Sequence, residues 1–332
     1  MERKNQNPII QWIVKTKILG ILFFVVIGAF VIYALGRALT SNPTLFLQQV
    51  VNGLQLGFVY ALIALGYTMI YGIVRLINFA HGDVFMVGAF TSFFTISRFN
   101  LHLWFQSLFP SFPALPAQII GAITVVLASM AVCALLAFTI EKIAYKPLRE
   151  APRISALITA IGISFFLEYF GALNFVFTPN YITYKRPFEV KSWFIGPSGF
   201  GTIESGVSSP SNSIIFSNIF VIIVLASLSL LLVLQYIVKR TKIGKAMRAV
   251  AYDKPTARLM GINSDAVISI TFALGAALAG AAGVLYAIAY PQVYFVMGII
   301  PGMKAFVAAV VGGIGSIPGA FIGALIMGQA ET

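Results

Sequence analysis

The stretch KRTKIGKAMRAVAYDKPTARLMGI, residues Lys239–Ile262, lies between two long apolar runs. It contains many basic residues and a single acid, Asp253. A basic loop between two membrane spans is retained on the cytoplasmic side. Part of the loop also has the pattern of a short helix, because Asp253 can cap it, Pro255 falls in its first turn and Gly261 follows as a stop. The stretch therefore predicts either a docking surface for a cytosolic partner or a loop that only marks the cytoplasmic side.

The composition of the chain indicates that lipid is its solvent. Hydrophobic residues make up 59% of it and charged residues 10%, with a mean hydropathy of +0.93, whereas a soluble protein carries about 25% charged residues. The net charge of +12 comes from basic residues that lie mostly between apolar runs, so it indicates membrane orientation and not nucleic-acid binding. The single cysteine, Cys133, lies inside an apolar run, which predicts neither a disulfide framework nor a metal site.

Apolar runs long enough to cross a bilayer, about 20 residues each, recur along the chain. They are Ile18–Leu35, Leu45–Val74, Ile77–Ser97, Ala117–Ile140, Ile154–Phe177, Ile214–Val238, Ala266–Ala289 and Phe295–Met327. The last run is interrupted by GGIGSIPG, Gly312–Gly319, which predicts two short pieces. The run Leu45–Val74 is longer than one straight span, so we expect part of it to be broken or re-entrant. The predicted fold is an all-α polytopic membrane protein with about eight transmembrane helices.

The distribution of basic residues orients the predicted spans. With the N-terminus in the cytoplasm, most Lys and Arg residues fall on cytoplasmic segments, as the rule for loop charge requires. Residues 1–44 are an N-terminal basic segment with one transmembrane helix, and residues 45–332 are the main transmembrane domain. Within that domain, residues 239–265 form a cytoplasmic loop and residues 178–213 the largest extracytoplasmic loop.

Polar residues inside the predicted spans are few, and each is costly in lipid. Asn78, His81 and Asp83 cluster in INFAHGD at the start of a span, and the spacing puts Asn78 and His81 on one helix face. The cluster either lines a water-filled path or gate, or caps its helix at the inner interface. Glu168 lies in the middle of a predicted span and should face the bundle, as part of the path or as a structural group. A proton relay of Glu168, His81 and Asp83 would instead indicate an ion-coupled secondary transporter.

Enzyme signatures are weak. Gly196–Gly199 matches the short GxSG pattern of an intramembrane serine protease, but it lies in a polar loop beside Pro197, where turn chemistry is the better interpretation. Gly312–Gly319 is glycine-rich, but the sequence predicts no strand before it and has no Lys-Ser/Thr after it, so we interpret it as a helix break and not as a phosphate-binding loop. The sequence predicts a non-enzymatic chain with no nucleotide-binding motif of its own.

Four stretches together resemble one family. They are NGLQLGFVYALIALGYTMIYGIVRLINFAHGDVFMVGAF (Asn52–Phe90), IEKIAYKPLR (Ile140–Arg149), GKAMRAVAYDKPTARLMGIN (Gly244–Asn263) and GMKAFVAAVVGGIGSIPGAFIGALIMG (Gly302–Gly328). From about residue 45 to its end, the chain resembles the LivH-type permease subunit of branched-chain amino acid ABC transporters. The resemblance implies an importer permease in a prokaryotic cell membrane. Its implied partners are an extracytoplasmic substrate-binding protein, a second similar permease, and two cytosolic ATPase subunits that hold the ATP and Mg, so this chain binds no cofactor.

The resemblance also implies that residues 244–262 contain the helix through which an ATPase moves the permease. The coupling candidates are Ala249, Ala251, Asp253, Ala257 and Gly261, whose small side chains, Asp253 apart, leave room for a close partner surface. Branched-chain, hydrophobic amino acids are the implied substrates, with urea or short amides as the alternative in the same family. Family members usually start near residue 45 and continue for a helix or two past Thr332, so we expect an added N-terminal segment and a truncated C-terminus.

Overall fold

The computed structural model describes residues 33–332 except 150, 198 and 204–211, together with scattered positions between 20 and 30. The predicted span Ile18–Leu35 lies largely outside the described residues, as does most of the segment 1–44. The predicted fold class is confirmed, because the described chain is a bundle of apolar helices. Residues 33–41 are helical and lead into the bundle.

The helices that follow are numbered here in chain order. They are α1 (Pro43–Val74), α2 (His81–Ser97), α3 (Trp104–Leu108), α4 (Ala114–Ile140), α5 (Arg153–Gly171), α6 (Asn218–Arg240), α7 (Lys242–Tyr252), α8 (Lys254–Leu259), α9 (Ser264–Ala289), α10 (Ile299–Val311) and α11 (Ile317–Glu331). A turn of 3-10 helix, Leu101–Leu103, precedes α3, and a π turn (Glu141–Tyr145) with a second 3-10 turn (Lys146–Leu148) extends α4.

The expected count of about eight membrane spans is not confirmed. Among the described residues, five helices are long and apolar enough to cross a membrane, or six if α2 and the helical piece Leu101–Leu108, which meet at 62°, form one bent span. The run Phe295–Met327 divides into two short helices, α10 and α11, as predicted. Gly313 and Gly315, at φ +94° and +98°, make the turn between them in a backbone region that glycine enters without steric cost.

The expectation of a break within Leu45–Val74 is wrong, because α1 is one continuous helix of 32 residues. Pro43 begins it at a position where the missing N–H is not needed. Arg75 ends it in the left-handed conformation, with its backbone N–H on the carbonyl of Tyr71. The middle of α1 is buried on every side, so neighbouring helices, and not sequence periodicity, hold it straight.

Two of the spans, α1 and α9, form the buried centre of the bundle, while α4, α5 and α6 present broad apolar faces outward. Close approach of backbones makes this centre dense. A Cβ at Gly88 or at Gly280 would collide with a neighbouring helix, and so would one at Gly57 or Gly328. Small residues at helix crossings allow this approach in lipid, where packing rather than hydrophobicity drives association.

Short strands lie where the largest loop was predicted. The strands β2 (Ser192–Gly196), β3 (Gly199–Ile203) and β4 (Ile214–Ser217) form an antiparallel sheet in the order β3-β2-β4. A second pair joins β1 (Ile182–Thr183) to β5 (Gln292–Val293). Gly196 pairs with Gly199 across the β2–β3 turn, which confirms the interpretation of that motif as turn chemistry. We call this the sheet end of the bundle and the opposite end of α6, which carries α7 and α8, the hairpin end.

Candidate functional site

The segment 75–80 joins α1 to α2 and contains Asn78. The structure starts α2 at His81, so the prediction that Asn78 and His81 share a helix face is wrong. The backbone carbonyl of Asn78 accepts from the His81 N–H at 3.1 Å, and its side-chain Oδ1 accepts a hydrogen bond of 2.7 Å from the hydroxyl of Tyr145. Asn78 is buried, and these two hydrogen bonds connect the start of α2 to the π turn that follows α4.

His81 and Asp83 lie in the first turn of α2 and point in different directions. Two residues of helix are separated by about 200° around its axis. The imidazole of His81 packs edge-on against the ring of Tyr67 at 4.7 Å, and its Nε2 has no hydrogen-bond partner in the described part of the chain. The predicted triple relay of Glu168, His81 and Asp83 is therefore not assembled, because the ring turns toward α1 while Asp83 turns toward α5.

The carboxyl groups of Asp83 and Glu168 meet between α2 and α5. They lie within hydrogen-bonding reach of each other, and the hydroxyl of Ser164 donates to Asp83 Oδ2. Both side chains are buried, as predicted for Glu168. Glu168 lies in the last turn of α5 and not in mid-span, because the helix ends at Gly171.

A buried ionic cluster at the hairpin end was missed at the sequence level. Arg149 bonds to both Glu141 and Asp265, and the hydroxyl of Ser269 donates to Glu141. The side chain of Glu141 is fully buried. Arg258, in α8, reaches Asp265 at 3.3 Å. A count of loop charges that serves only to orient the membrane spans does not reveal such pairs. The position of Glu141, directly after a long apolar run, was a signal that this acid needs a partner.

The loop 239–265 folds into a helical hairpin of α7 and α8. The predicted short helix is confirmed: the carboxylate of Asp253 accepts from the Thr256 N–H at 3.3 Å, and Gly261 follows in the left-handed conformation at φ +80°. Hydrogen bonds from the Thr256 hydroxyl and N–H hold the pKa of the Asp253 carboxyl below its usual range. The helix α7 was not predicted, although Gly244, Met247 and Val250, which are buried on one of its faces, have helical spacing.

The predicted coupling residues do not share one surface. Ala257 is only 4% exposed and packs in the core of this chain, so a partner protein cannot contact its side chain. Ala249, Ala251 and Asp253 are half-buried, and Gly261 is exposed. Their coupling role stays a prediction.

The surface of the hairpin instead exposes large apolar side chains that sequence reasoning missed. Tyr252 is 92%, Leu259 87% and Met260 78% exposed, although α7 and α8 lie outside the membrane-spanning helices. We call these three residues the hairpin crown. Contiguous exposed apolar patches mark interaction sites, and these three side chains are candidates for one.

The chain is similar to a known family of transport proteins. A family model described as the branched-chain amino acid transport system / permease component matches residues 49–332. The high-affinity branched-chain amino acid transport system permease protein LivH of Salmonella typhimurium (strain LT2) is 42% identical over 287 residues, 86% of this chain and 85% of that protein.

More distant relatives carry similar names. The permease protein BraD of Pseudomonas aeruginosa is 38% identical over 288 residues, 86% of this chain and 85% of that protein. A probable LivH of Methanocaldococcus jannaschii is 27% identical over 280 residues, 82% of this chain and 75% of that protein. No solved structure gives a significant match. From the helical architecture and these similarities, we conclude that the chain is a multi-pass membrane protein of the branched-chain amino acid transport permease family.

Proposed function

We propose that the chain is the non-catalytic transmembrane permease subunit of an ATP-driven importer of branched-chain amino acids. The family and the names of the relatives support this substrate class over urea or short amides. They also favour an ATP-driven importer over an ion-coupled secondary transporter. The structural observation that carries the proposal is the α7–α8 hairpin, a rigid element that exposes an apolar crown and is bonded to the spans.

The hairpin crown is the proposed contact with a cytosolic ATPase subunit. Tyr252, Leu259 and Met260 offer the apolar, aromatic-containing surface that the centre of a protein interface favours. The caps at Asp253 and Gly261 fix the geometry of this surface. ATP and Mg would be held by the two ATPase subunits, one docked on this chain and one on a second, similar permease. The loop-charge distribution supports a cytoplasmic hairpin and N-terminus in a prokaryotic cell membrane.

A continuous series of contacts leads from the hairpin to the buried carboxyl pair. Arg258 of α8 bonds to Asp265, which Arg149 joins to Glu141. The π turn that contains Glu141 also contains Tyr145, whose hydroxyl bonds to Asn78 at the entry of α2. A shift of the hairpin would thus reach α2 through bonded groups and not only through loops.

The end of this series is the proposed gate. Asp83, in the first turn of α2, accepts a hydrogen bond from Ser164 of α5 and lies beside Glu168 of the same helix. We propose that Asn78 and the Asp83–Glu168 pair respond to the hairpin and open the transport path. His81, packed on Tyr67, would hold α2 against α1. At the sheet end, the strands of loop 178–213 would face the extracytoplasmic substrate-binding protein.

Transport by the reconstituted complex tests the proposed function. We expect proteoliposomes that contain both permeases, the ATPases and the binding protein to transport labelled leucine only when ATP is present on the side of the membrane where the ATPase subunits lie. Excess urea should not compete. Uptake driven by a proton gradient without ATP, or competition by urea and not by isoleucine, would contradict the proposal.

Polar substitution of the crown tests the docking surface. The double variant Leu259→Ser/Met260→Ser should assemble in the membrane but lose co-purification of the ATPase, since about 1 to 2 kcal/mol of buried apolar contact is lost per side chain. The matched control is Ile243→Ser, an exposed apolar residue of α7 outside the crown. Equal ATPase recovery in the crown variant and the control would show that the hairpin docks elsewhere.

A further inference from the structure

One pair of opposite charges joins two helices of the bundle, apart from the hairpin. Lys304 of α10 and Glu331 of α11 form an ion pair, and the hydroxyl of Tyr60 donates a hydrogen bond of 2.9 Å to Glu331. Tyr60 is buried near the middle of α1. None of these residues belongs to the carboxyl pair or the ionic cluster described above.

Contacts along α1 set the depth of this pair. Gln48, near the start of α1, exchanges hydrogen bonds of 2.9 and 2.7 Å with the backbone of Ile215 in β4, which places it at the sheet end. Tyr60 lies about 18 Å along the helix from Gln48 and about 21 Å from Val74 at the other end. The side-chain amide of Gln329 and the hydroxyl of Thr332 donate to the backbone carbonyls of Val50 and Gln49. The end of α11 that contains Glu331 therefore lies beside the first turns of α1, and the Tyr60–Glu331–Lys304 group lies in the half of the bundle nearer the sheet end.

Charges at this depth need water or a polar ligand beside them. The side chains of Lys304 and Glu331 are each 30% exposed at the surface of the described chain. Ionisable groups within membrane spans face a cavity, a path or a partner, because contact with lipid tails is unfavourable. The pair therefore has atoms that a polar ligand can reach.

The surroundings of the pair are aromatic and aliphatic. Tyr286 and Tyr290 lie near Glu331, and their rings are 4.8 Å apart. On α10, Met303 and Val307 flank Lys304 and are exposed. A cation and an anion next to an apolar wall complement a small molecule that has one ammonium, one carboxylate and an aliphatic side chain.

We propose that Lys304 and Glu331 form an intramembrane binding site for the transported amino acid. Lys304 Nζ binds the substrate carboxylate, the Glu331 carboxylate binds the ammonium group, and Tyr60 orients Glu331. Without substrate the two side chains neutralise each other, and with substrate each pairs with one end of the zwitterion, so the net charge of the site stays zero. This inference rests on the proposed function and deepens it, because urea and short amides lack the charges that would open the ion pair.

The test uses the complete reconstituted transporter with its binding protein and labelled leucine. Glu331→Gln and Lys304→Met should each lower leucine uptake about tenfold or more, since each removes a charge that would pair with one end of the substrate. Stimulation of the ATPase by leucine-loaded binding protein should persist in both variants, since the hairpin is unchanged. Lys185→Met, which removes an exposed cation near the sheet end, is the matched control and should transport normally.

A charge-swapped variant separates substrate binding from a structural ion pair. Lys304→Glu/Glu331→Lys restores the attraction but reverses the orientation required of the substrate, so we expect assembly near that of the wild type and uptake still low. Restored uptake in the swap, unchanged uptake in the isosteric Glu331→Gln, or a loss of uptake that only follows a loss of assembled complex would each overturn the inference. A failure of the proposed function would differ, because the wild-type transporter itself would then not import leucine with ATP.

Discussion

Removal of the Arg149 guanidinium should destabilise the protein more than any exposed charge change would. Glu141 is fully buried, and among the described residues its polar contacts are Arg149 and the hydroxyl of Ser269. In Arg149→Met, Glu141 would keep one neutral donor and lose its countercharge. Loss of one partner from a buried ion pair costs about 3 to 5 kcal/mol.

The contacts that remain in Arg149→Met place the expected loss of stability at the lower end of that range. Asp265, the second partner of Arg149, keeps Arg258 at 3.3 Å and Lys146 at 3.7 Å, so it is not left unpaired. The retained Ser269 bond offsets part of the loss at Glu141. We therefore expect Arg149→Met to lower the free energy of unfolding by about 3 kcal/mol.

A double-mutant cycle measures this effect. Thermal unfolding of the purified protein in detergent is compared for Arg149→Met, Glu141→Gln and the double variant. The double variant should recover most of the stability, because it removes the uncompensated buried charge. A loss below about 1 kcal/mol in Arg149→Met, or a double variant as unstable as the sum of the single ones, would refute the reasoning about the buried pair.

Three further predictions follow from other contacts. Glu168→Gln should retain most uptake because it keeps a hydrogen bond to Asp83, whereas Glu168→Leu should lower uptake more than protein level; equal uptake in both variants would exclude the pair from the gate. Phe200→Cys should react with an impermeant thiol reagent added outside sealed cells and Thr256→Cys should not, and the reverse result would invert the orientation. Gly57→Leu should cost about 2 kcal/mol or more of stability through collision with the α11 backbone, and wild-type thermal stability of that variant would exclude the tight crossing.

Local chemistry let several elements be predicted from the sequence. Hydropathy indicated the membrane, the Asp253 cap and the Gly261 stop bounded α8, and Gly312–Gly319 divided the last run into two helices. These features depend on residues within a few positions of one another. The four family-like stretches, including the one around INFAHGD, also led to the family that the comparisons confirmed.

Other features depended on contacts between distant segments, and only the tertiary structure decided them. Packing around α1 kept it continuous where length alone suggested a break. The inward turn of Ala257 shifted the proposed docking surface to the hairpin crown, because helix rotation is set by what the helix packs against.

Charge pairing gives the same lesson. Glu141 and Asp265 both bond to Arg149, and Lys304 and Glu331 meet across two helices. All of these residues can be read from the sequence, but hydropathy and loop charge treat each residue separately and do not indicate which residues pair. Which charge neutralises which in a medium of low dielectric is a property of three-dimensional distance, and the folded bundle alone provides it.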